Sequence, residues 1–302
     1  VKPHVAIVLN GIALRKKFFF NKILAALHAV AHVKVYETRS AGDGIFRSKQ
    51  AVEQGYPLIL AAGGDGTVNQ VVQGIMEYYG RMSSLPAMGI IPLGSGNDFA
   101  RTLGIRTNPI RLVESLSKPQ LRWVDVGRIT RLSPAGLQPK YFINIADAGM
   151  GPEVVKRVLD SGRPWGSVAA YYAAILKTFF TYKPTEMEVR TPLWQWKGKA
   201  RVVAVTNGKY FGNGLCIAPD AQPDDGVLHC TIVGDVSVKD FVVQNFRLRS
   251  GKRIQHPKVS YHETEWVEIY AQHAAYLEAD GEWAGALPVR IDLLRKSLQV
   301  MT

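Results

Sequence analysis

Cysteine is nearly absent: Cys216 and Cys230 are the only two in 302 residues. Two thiols cannot build a disulfide framework, and such usage suits a reducing compartment. Long apolar runs are missing as well. The longest candidate, Val168 to Leu176, is too short to span a bilayer. No signal-peptide pattern opens the chain at Val1, so a cytoplasmic location is the expectation. Acidic residues are scarce beside basic ones, 25 against 37, which leaves a formal charge of +12 and favours an anionic partner. No nucleic-acid-binding module accompanies that charge, so nucleic acid is not the expected partner. His28 and His32 stand one helical turn apart, but no Glu adjoins the first and no third ligand follows. They read as a solvated helix face. What remains is a globular composition, 47% hydrophobic and 21% charged, in a chain long enough for two domains.

Two glycine-rich loops dominate what is present. Gly63-Gly64-Asp65-Gly66-Thr67-Val68-Asn69, followed by Gln70, comes after the apolar run Pro57 to Ala62. It opens a helical pattern with Val68, Val71, Val72, Ile75, Met76 and Tyr79 on one face. Pro92-Leu93-Gly94-Ser95-Gly96-Asn97-Asp98-Phe99-Ala100-Arg101 follows a second short run, Met88 to Ile91. A strand, a tight glycine turn and a helix N-terminus aim backbone N–H groups at an anion. Neither loop carries the lysine of a P-loop or the spacing of a dinucleotide fingerprint. Phosphate would be gripped by backbone and hydroxyl groups.

These two loops resemble those of the catalytic domain of the diacylglycerol kinase and sphingosine kinase superfamily, most closely its small soluble bacterial lipid kinases. The likeness continues through Asn207 to Gly214, Ile217 to Ala221, Asp224 to Val227 and Asp280-Gly281-Glu282, in order over nearly the whole length. The chain departs from the family twice. Its first strand runs into Asn10-Gly11 rather than Asn-Pro, with Lys16 or Lys17 in place of the family's lysine. Its triple-glycine stretch is interrupted by Asn213.

A coarse reading gives an α/β doubly wound nucleotide-binding domain and an antiparallel β-sandwich. Strands are expected at Val5 to Leu9, Val33 to Thr38 and before each glycine loop, with helices over Phe19 to Ala31 and Arg47 to Gln54. From about Trp123 short alternating strands take over, among them Tyr141 to Ile145, Glu186 to Arg190, Arg201 to Thr206, Val227 to Val233 and Trp266 to Tyr270. The expected domains are residues 1–122 with 287–302, and 123–286 with a helical insertion near 154–180. The return of the last segment after about Leu287 is implied by the family's fold alone. Ser161 to Gly166 suggests a loop near a lipid entry.

The resemblance also implies a chemistry. Phosphoryl transfer needs positioning, charge neutralisation and a group to take the attacking hydroxyl's proton. Asn10, Thr38, Gly63, Gly64, Asp65, Gly66, Thr67, Val68, Asn69, Gln70, Gly94, Ser95, Asn97 and Asp98 would line an ATP site. Asp65 and Asp98 would hold Mg²⁺ through water, although Asp98 also reads as a helix cap or Asx turn. Glu282 would be the general base. Asp280 would hold metal or orient that base, while Asp280-Gly281 also reads as a hairpin turn. A second Mg²⁺ would be held by the Asp225 side chain with the carbonyls of Gln222 and Val227, in a stretch that otherwise reads as a plain turn.

The expected activity is an ATP- and Mg²⁺-dependent transfer to a free hydroxyl of a diacylglycerol-like lipid. Two clusters, Arg15 to Phe20 and Lys177 to Lys183, mix basic with aromatic residues as peripheral membrane proteins do. The expected partners are therefore a hydroxyl lipid, an anionic membrane surface and, as an option, a second copy of the chain. Two other readings stand beside this one: a soluble-substrate kinase like the NAD kinases, which share the Gly-Gly-Asp-Gly loop, and a nucleotide-binding regulator without catalysis.

Overall fold

Short apolar runs bounded by turn residues become parallel strands in the first part of the chain. The computed structural model describes residues 2–132, 138–160 and 168–302; the loop expected at Ser161 to Gly166 lies outside them. Two units separate, residues 1–124 with 296–302, and residues 125–295. The expected return at Leu287 falls before this division, because Val289 to Asp292 pair with Ile269 to Trp266 inside the second unit.

In the first unit, β1 (His4–Leu9), β2 (His32–Glu37), β3 (Leu58–Gly63) and β4 (Ala87–Pro92) form a parallel sheet in the order β2-β1-β3-β4. Val300 joins it in parallel beside Met88. Parallel strands covered on both faces read as continuous apolar runs. Val5, Ile7, Leu9, Leu60 and Ala62 face one layer, where they pack with Phe19, Ile23, Leu27 and Leu116. That layer holds α1 (Lys16–Phe18), a π-helical stretch Phe19–Leu24, and α2 (Ala25–Val30). Strand alternation turns Ala6, Val8, Ile59 and Ala61 to the opposite face, where α3 (Asp43–Glu53) and α4 (Asp65–Met76) lie against β1 and each other. On α4 the expected face is buried from Val68 to Met76, but Tyr79 is not part of it. The helix ends first, and Tyr79 is exposed in the turn that follows. Then come α5 (Asp98–Thr102) and α6 (Pro109–Ser117), whose Asn108 cap accepts from the N–H groups of Ile110 and Arg111.

The second unit is antiparallel. After β5 (Leu121–Arg131) come β6 (Lys140–Phe142), β7 (Ile145–Gly149), α7 (Met150–Asp160), α8 (Val168–Thr181), β8 (Thr185–Arg190) and β9 (Gln195–Thr206). The long β9 serves two layers. Its first half pairs with β8, and its second half lies between β7 and β12 (Leu228–Gly234), the short β10 (Tyr210–Phe211) and β11 (Leu215–Cys216) intervening. Then follow α9 (Val238–Arg249), β13 (Val259–Thr264), β14 (Trp266–Ala271), β15 (Tyr276–Ala279), β16 (Glu282–Ala286) and β17 (Val289–Met301). Phe142, Val205, Cys230, Ile269, Leu277 and Ile291 meet in the core between the layers. The other side of β7, β9 and β12 is covered by α7, α8 and α9 through Val154, Ile175, Phe179 and Leu248.

One expected strand is broken. Tyr141 to Ile145 reads as a single segment, yet β6 ends at Phe142 and β7 begins at Ile145. The N–H groups of Ile143, Asn144 and Ile145 turn instead to the Asp280 carboxylate, at 2.9, 3.1 and 2.9 Å.

Gly127 has no side chain because Phe142 lies over it: a Cβ there would come within 2.1 Å of the ring. Phe142→Ala should cost about 3–5 kcal/mol, seen as a lower midpoint in urea unfolding. Adding Gly127→Ala to that variant should restore part of the loss, whereas Gly127→Ala alone should destabilise.

Candidate active site

In the first unit the two glycine loops touch through their backbones. A Cβ on Gly94 would sit 2.5 Å from the Gly64 Cα, and one on Gly63 would strike the Thr67 Oγ1 at 2.1 Å. The Leu93 N–H donates to the Gly63 carbonyl at 2.8 Å. Asn97, with a left-handed φ of 50°, folds its side chain back to accept from the Gly94 N–H and donate to the Gly94 carbonyl.

Asp65 binds the loops together. Its Oδ1 accepts from the N–H groups of Asp98 and Phe99, at 2.7 and 3.2 Å. The cap expected of Asp98 therefore comes from Asp65, and Asp98 is itself the first, buried residue of α5. Burial pushes the Asp65 carboxyl up, against the pull of the N–H groups that it accepts. Gly64, Gly66, Thr67, Val68 and Asn69 fall at the start of α4, where the helix dipole favours an anion. Gln70 faces the other way along α4 and accepts from the Gly44 N–H.

Beside this cradle, the Thr38 Oγ1 accepts from the Gly11 N–H at 3.1 Å, and the Asn10 Oδ1 accepts from the Ile12 N–H at 3.0 Å. Lys16 folds onto the Gly11 carbonyl and the Glu37 carboxylate, while Lys17 is exposed. Of the two lysines, Lys16 is the one held at the ends of β1 and β2. Ser95 is half-buried in the second loop.

The second unit holds the acidic motif. Asp280 (φ 49°) and Gly281 (φ 85°) form the turn between β15 and β16, as an Asp-Gly hairpin requires. Held by the N–H groups of Ile143, Asn144 and Ile145, the Asp280 carboxylate fixes this turn in place. Glu282, the first residue of β16, is exposed. The same N–H groups lead into a polar network that sequence reasoning missed. Asn207 donates to the carbonyls of Asp125 and Ile143, at 2.8 and 2.9 Å, and Asn144 donates to the Tyr210 carbonyl. The fully buried Asp125 accepts from the Gly226 N–H at 2.8 Å. An aspartate inside the apolar run Val124-Asp125-Val126 was the available signal.

Residues 222–227 form a loop around Asp225. Its carboxylate accepts from the N–H groups of Gln222 and Val227, at 3.2 and 3.1 Å, and lies 3.0 Å from the His229 Nε2. A carboxylate offers about four lone-pair sites, so room is left for one more partner. Carboxylate, carbonyls and water are the oxygen donors magnesium prefers. Among the described residues no cluster of three or more side-chain ligands exists, so any ion here would rely on the carbonyls of Gln222 and Val227. In the interrupted glycine run Gly212, Asn213 and Gly214 all have positive φ, which asparagine tolerates better than most residues.

Below the helical layer lies a narrow apolar cavity of about 90 Å³, lined by Val154, Ile175, Phe179, Phe241 and Leu248 among others. Asp147 and Glu278 reach it. They are opposite residues of β7 and β15, 1% and 4% exposed. Burial raises both carboxyls; the Asp147 charge then lifts Glu278 well above the ordinary range, while the hydrogen bond from Glu278 holds the rise of Asp147 back. The two carboxyls are hydrogen-bonded to each other, which requires a proton on one of them, and Asp147 Oδ1 has no further donor. Glu278 also accepts from the Gly281 N–H at 2.6 Å, so the pair supports the acidic turn. Gly151 is required beside it, since a Cβ would meet Asp147 Oδ1 at 1.9 Å.

Comparison with known proteins agrees with this architecture. Residues 4–129 match the diacylglycerol kinase catalytic domain, and residues 144–302 match the YegS C-terminal NAD kinase beta sandwich-like domain. The chain belongs to the diacylglycerol kinase family. Among similar members, a diacylglycerol kinase of Bacillus subtilis (strain 168) is 30% identical over 97% of this chain and 93% of its own. A probable YegS-like lipid kinase of Chromohalobacter salexigens is 31% identical over 91% and 86%. A solved structure of a putative diacylglycerol kinase from Bacillus anthracis shares the fold, with a TM-score of 0.78 at 22% identity over 99% of this chain and 96% of that one. The chain is thus a kinase of a lipid-kinase family, and membership implies ATP as its substrate. Among the described residues no helix is long and apolar enough to cross a membrane.

Two expectations follow. Gly94→Ala should push the loops apart, costing about 1–3 kcal/mol of stability, seen as a lower thermal midpoint, and if the loops hold the nucleotide it should also weaken ATP binding in isothermal titration. The raised Asp147–Glu278 pair keeps a proton that the unfolded chain releases near pH 4, so its contribution to stability is largest at low pH and falls as the pH rises. Glu278→Gln can donate to Asp147 and still accept from Gly281. Its thermal midpoint should therefore gain on the parent's as the pH is raised from about 5 to about 8.

Proposed function

We propose that the chain transfers the γ-phosphoryl group of ATP to a free hydroxyl of a diacylglycerol-like lipid at an anionic membrane surface. The observation that carries the lipid reading is the cavity of the second unit. Its walls are overwhelmingly apolar side chains, with the carboxyls of Asp147 and Glu278 among its few polar groups. A soluble dinucleotide would leave most of such a wall unused, whereas an acyl chain fits its chemistry.

In this reading the glycine loops receive the triphosphate. Gly64 and Gly94 let backbone approach it, the α4 N-terminus favours its charge, and Thr38 and Lys16 stand at the strand ends beside it. Mg²⁺, when bound, would neutralise phosphate charge, and Asp225 with the carbonyls of Gln222 and Val227 fits a further ion. Glu282 accepts the hydroxyl proton as the lipid oxygen bonds to phosphorus and the bond to the ADP oxygen breaks. Asp280, fixed by three N–H groups, sets the turn that presents it.

The test is transfer of γ-³²P from ATP to a panel of hydroxyl lipids in mixed micelles, with NAD alongside. A lipid should be labelled, and Glu282→Gln should lower the rate about 10²–10⁴-fold without weakening ATP binding. Labelling of NAD and of no lipid would overturn the reading in favour of a soluble-substrate kinase.

A further inference from the structure

The aromatic–basic clusters of the sequence fare differently in the folded chain. In the first, Phe19 is fully buried in the core and Arg15 lies over the half-buried Phe18 ring, so Phe20 is the one exposed ring of the cluster. In the second, Phe179 is buried against Phe241, with ring centroids 5.0 Å apart, while Phe180 is 76% exposed between exposed Lys177 and Lys183. The larger surface feature lies on α9, which no motif marked.

On α9, Phe241 and Leu248 turn inward to the cavity. The opposite face carries Lys239, Val242, Val243, Phe246 and Arg249, and its three apolar members are 60%, 64% and 72% exposed. Exposed apolar side chains are ordinary when scattered, but grouped on one helix face they mark an interaction site. The two helices run antiparallel. The Tyr172 hydroxyl contacts Asn245 and Arg249 near one end, and Phe179 meets Phe241 near the other. Phe180 therefore lies toward the N-terminal half of α9. Both helices cover the same face of the sheet, so their exposed residues look outward together.

Charge selects the occupant. Residues 238–253 contain five cations, Lys239, Arg247, Arg249, Lys252 and Arg253, against one acid, Asp240. Asp240 is engaged with the Ser237 N–H and hydroxyl in a capping box. A second copy docked on the same face would bring five cations from each copy into one interface with a single acid from each, which costs rather than stabilises. An anionic bilayer satisfies both halves of the pattern: its acyl region accepts the apolar residues and its headgroups accept the flanking cations.

We infer that the outer face of α9, with Phe180 of α8 beside it, is the surface by which this protein rests on an anionic lipid bilayer. The inference takes its partner from the lipid-kinase reading but concerns a surface which that reading does not specify. Peripheral binding of this type is weakened by salt and lost when the inserted apolar groups are removed.

The experiment is co-sedimentation of the full chain, without ATP, with phosphatidylcholine vesicles that contain or lack phosphatidylglycerol. The wild-type chain should bind only the anionic vesicles, and less as salt rises. Val243→Ser with Phe246→Ser should weaken that binding about tenfold or more, with a thermal midpoint near the parent's because both side chains are exposed. A second variant, Lys239→Gln with Lys252→Gln, should also bind less tightly. Parental binding by both variants would overturn the inference. So would a parent that elutes as a dimer, a serine variant that elutes as a monomer, and unchanged vesicle binding. Because binding is read without turnover, the two ideas fail separately: labelled lipid in micelles without vesicle binding sinks this surface alone, and vesicle binding without labelled lipid sinks the kinase substrate alone.

Discussion

Three consecutive backbone N–H groups converge on the carboxylate of Asp280, and the second unit is arranged around that contact. Hydrogen bonds to a charged acceptor contribute about 1.5–3 kcal/mol each, more than a few residues of strand pairing would return. The contact therefore interrupts a sequence that would otherwise run as one strand. It also fixes the hairpin turn that carries Glu282. From there the order spreads through Asn144 and Asn207 to Asp125, and from Asp125 to the loop around Asp225. Residues far apart in sequence thus share one buried polar network, in which each oxygen and N–H limits the positions of the next.

The first unit solves a similar problem with the same chemistry. Two loops made largely of glycine have little of their own to hold them, since glycine loses more freedom on ordering than any other residue. Asp65 supplies the restraint by accepting the N–H groups that begin α5, and the bare Cα atoms of Gly64 and Gly94 close the gap. In both units an aspartate from a glycine motif spends its charge on main-chain donors. Pre-set backbone of this kind costs no reorganisation when a charged substrate arrives.

Chemistry and architecture were legible to different degrees. The buried strands β1, β3 and β4 could be read from continuous apolar runs, and α4 from the spacing of Val68 to Met76. Helical periodicity does not stop where the helix does, and so Tyr79 was placed on a face it does not join. The strand at Tyr141 to Ile145 misled because its partner for hydrogen bonding, Asp280, lies far along the chain. The return of the chain to the first unit was legible only through family likeness. Its position, at Lys296 rather than Leu287, is set by the pairing of Val289 to Asp292 with β14.

The sequence by itself determined the family, the two glycine loops, the Asp-Gly hairpin and the excess of positive charge, because each is local or a simple sum over residues. Tertiary structure alone decided the rest. It made Asp65 and Asp280 acceptors of backbone N–H groups, raised Glu278 by burying it opposite Asp147, and held Lys16 on Gly11 and Glu37 while leaving Lys17 exposed. It also buried Phe19 and Phe179 while leaving Phe246 in the open. Burial, the partners of a carboxylate and the outward face of a helix depend on what is packed alongside, and a linear sequence does not contain that information in readable form.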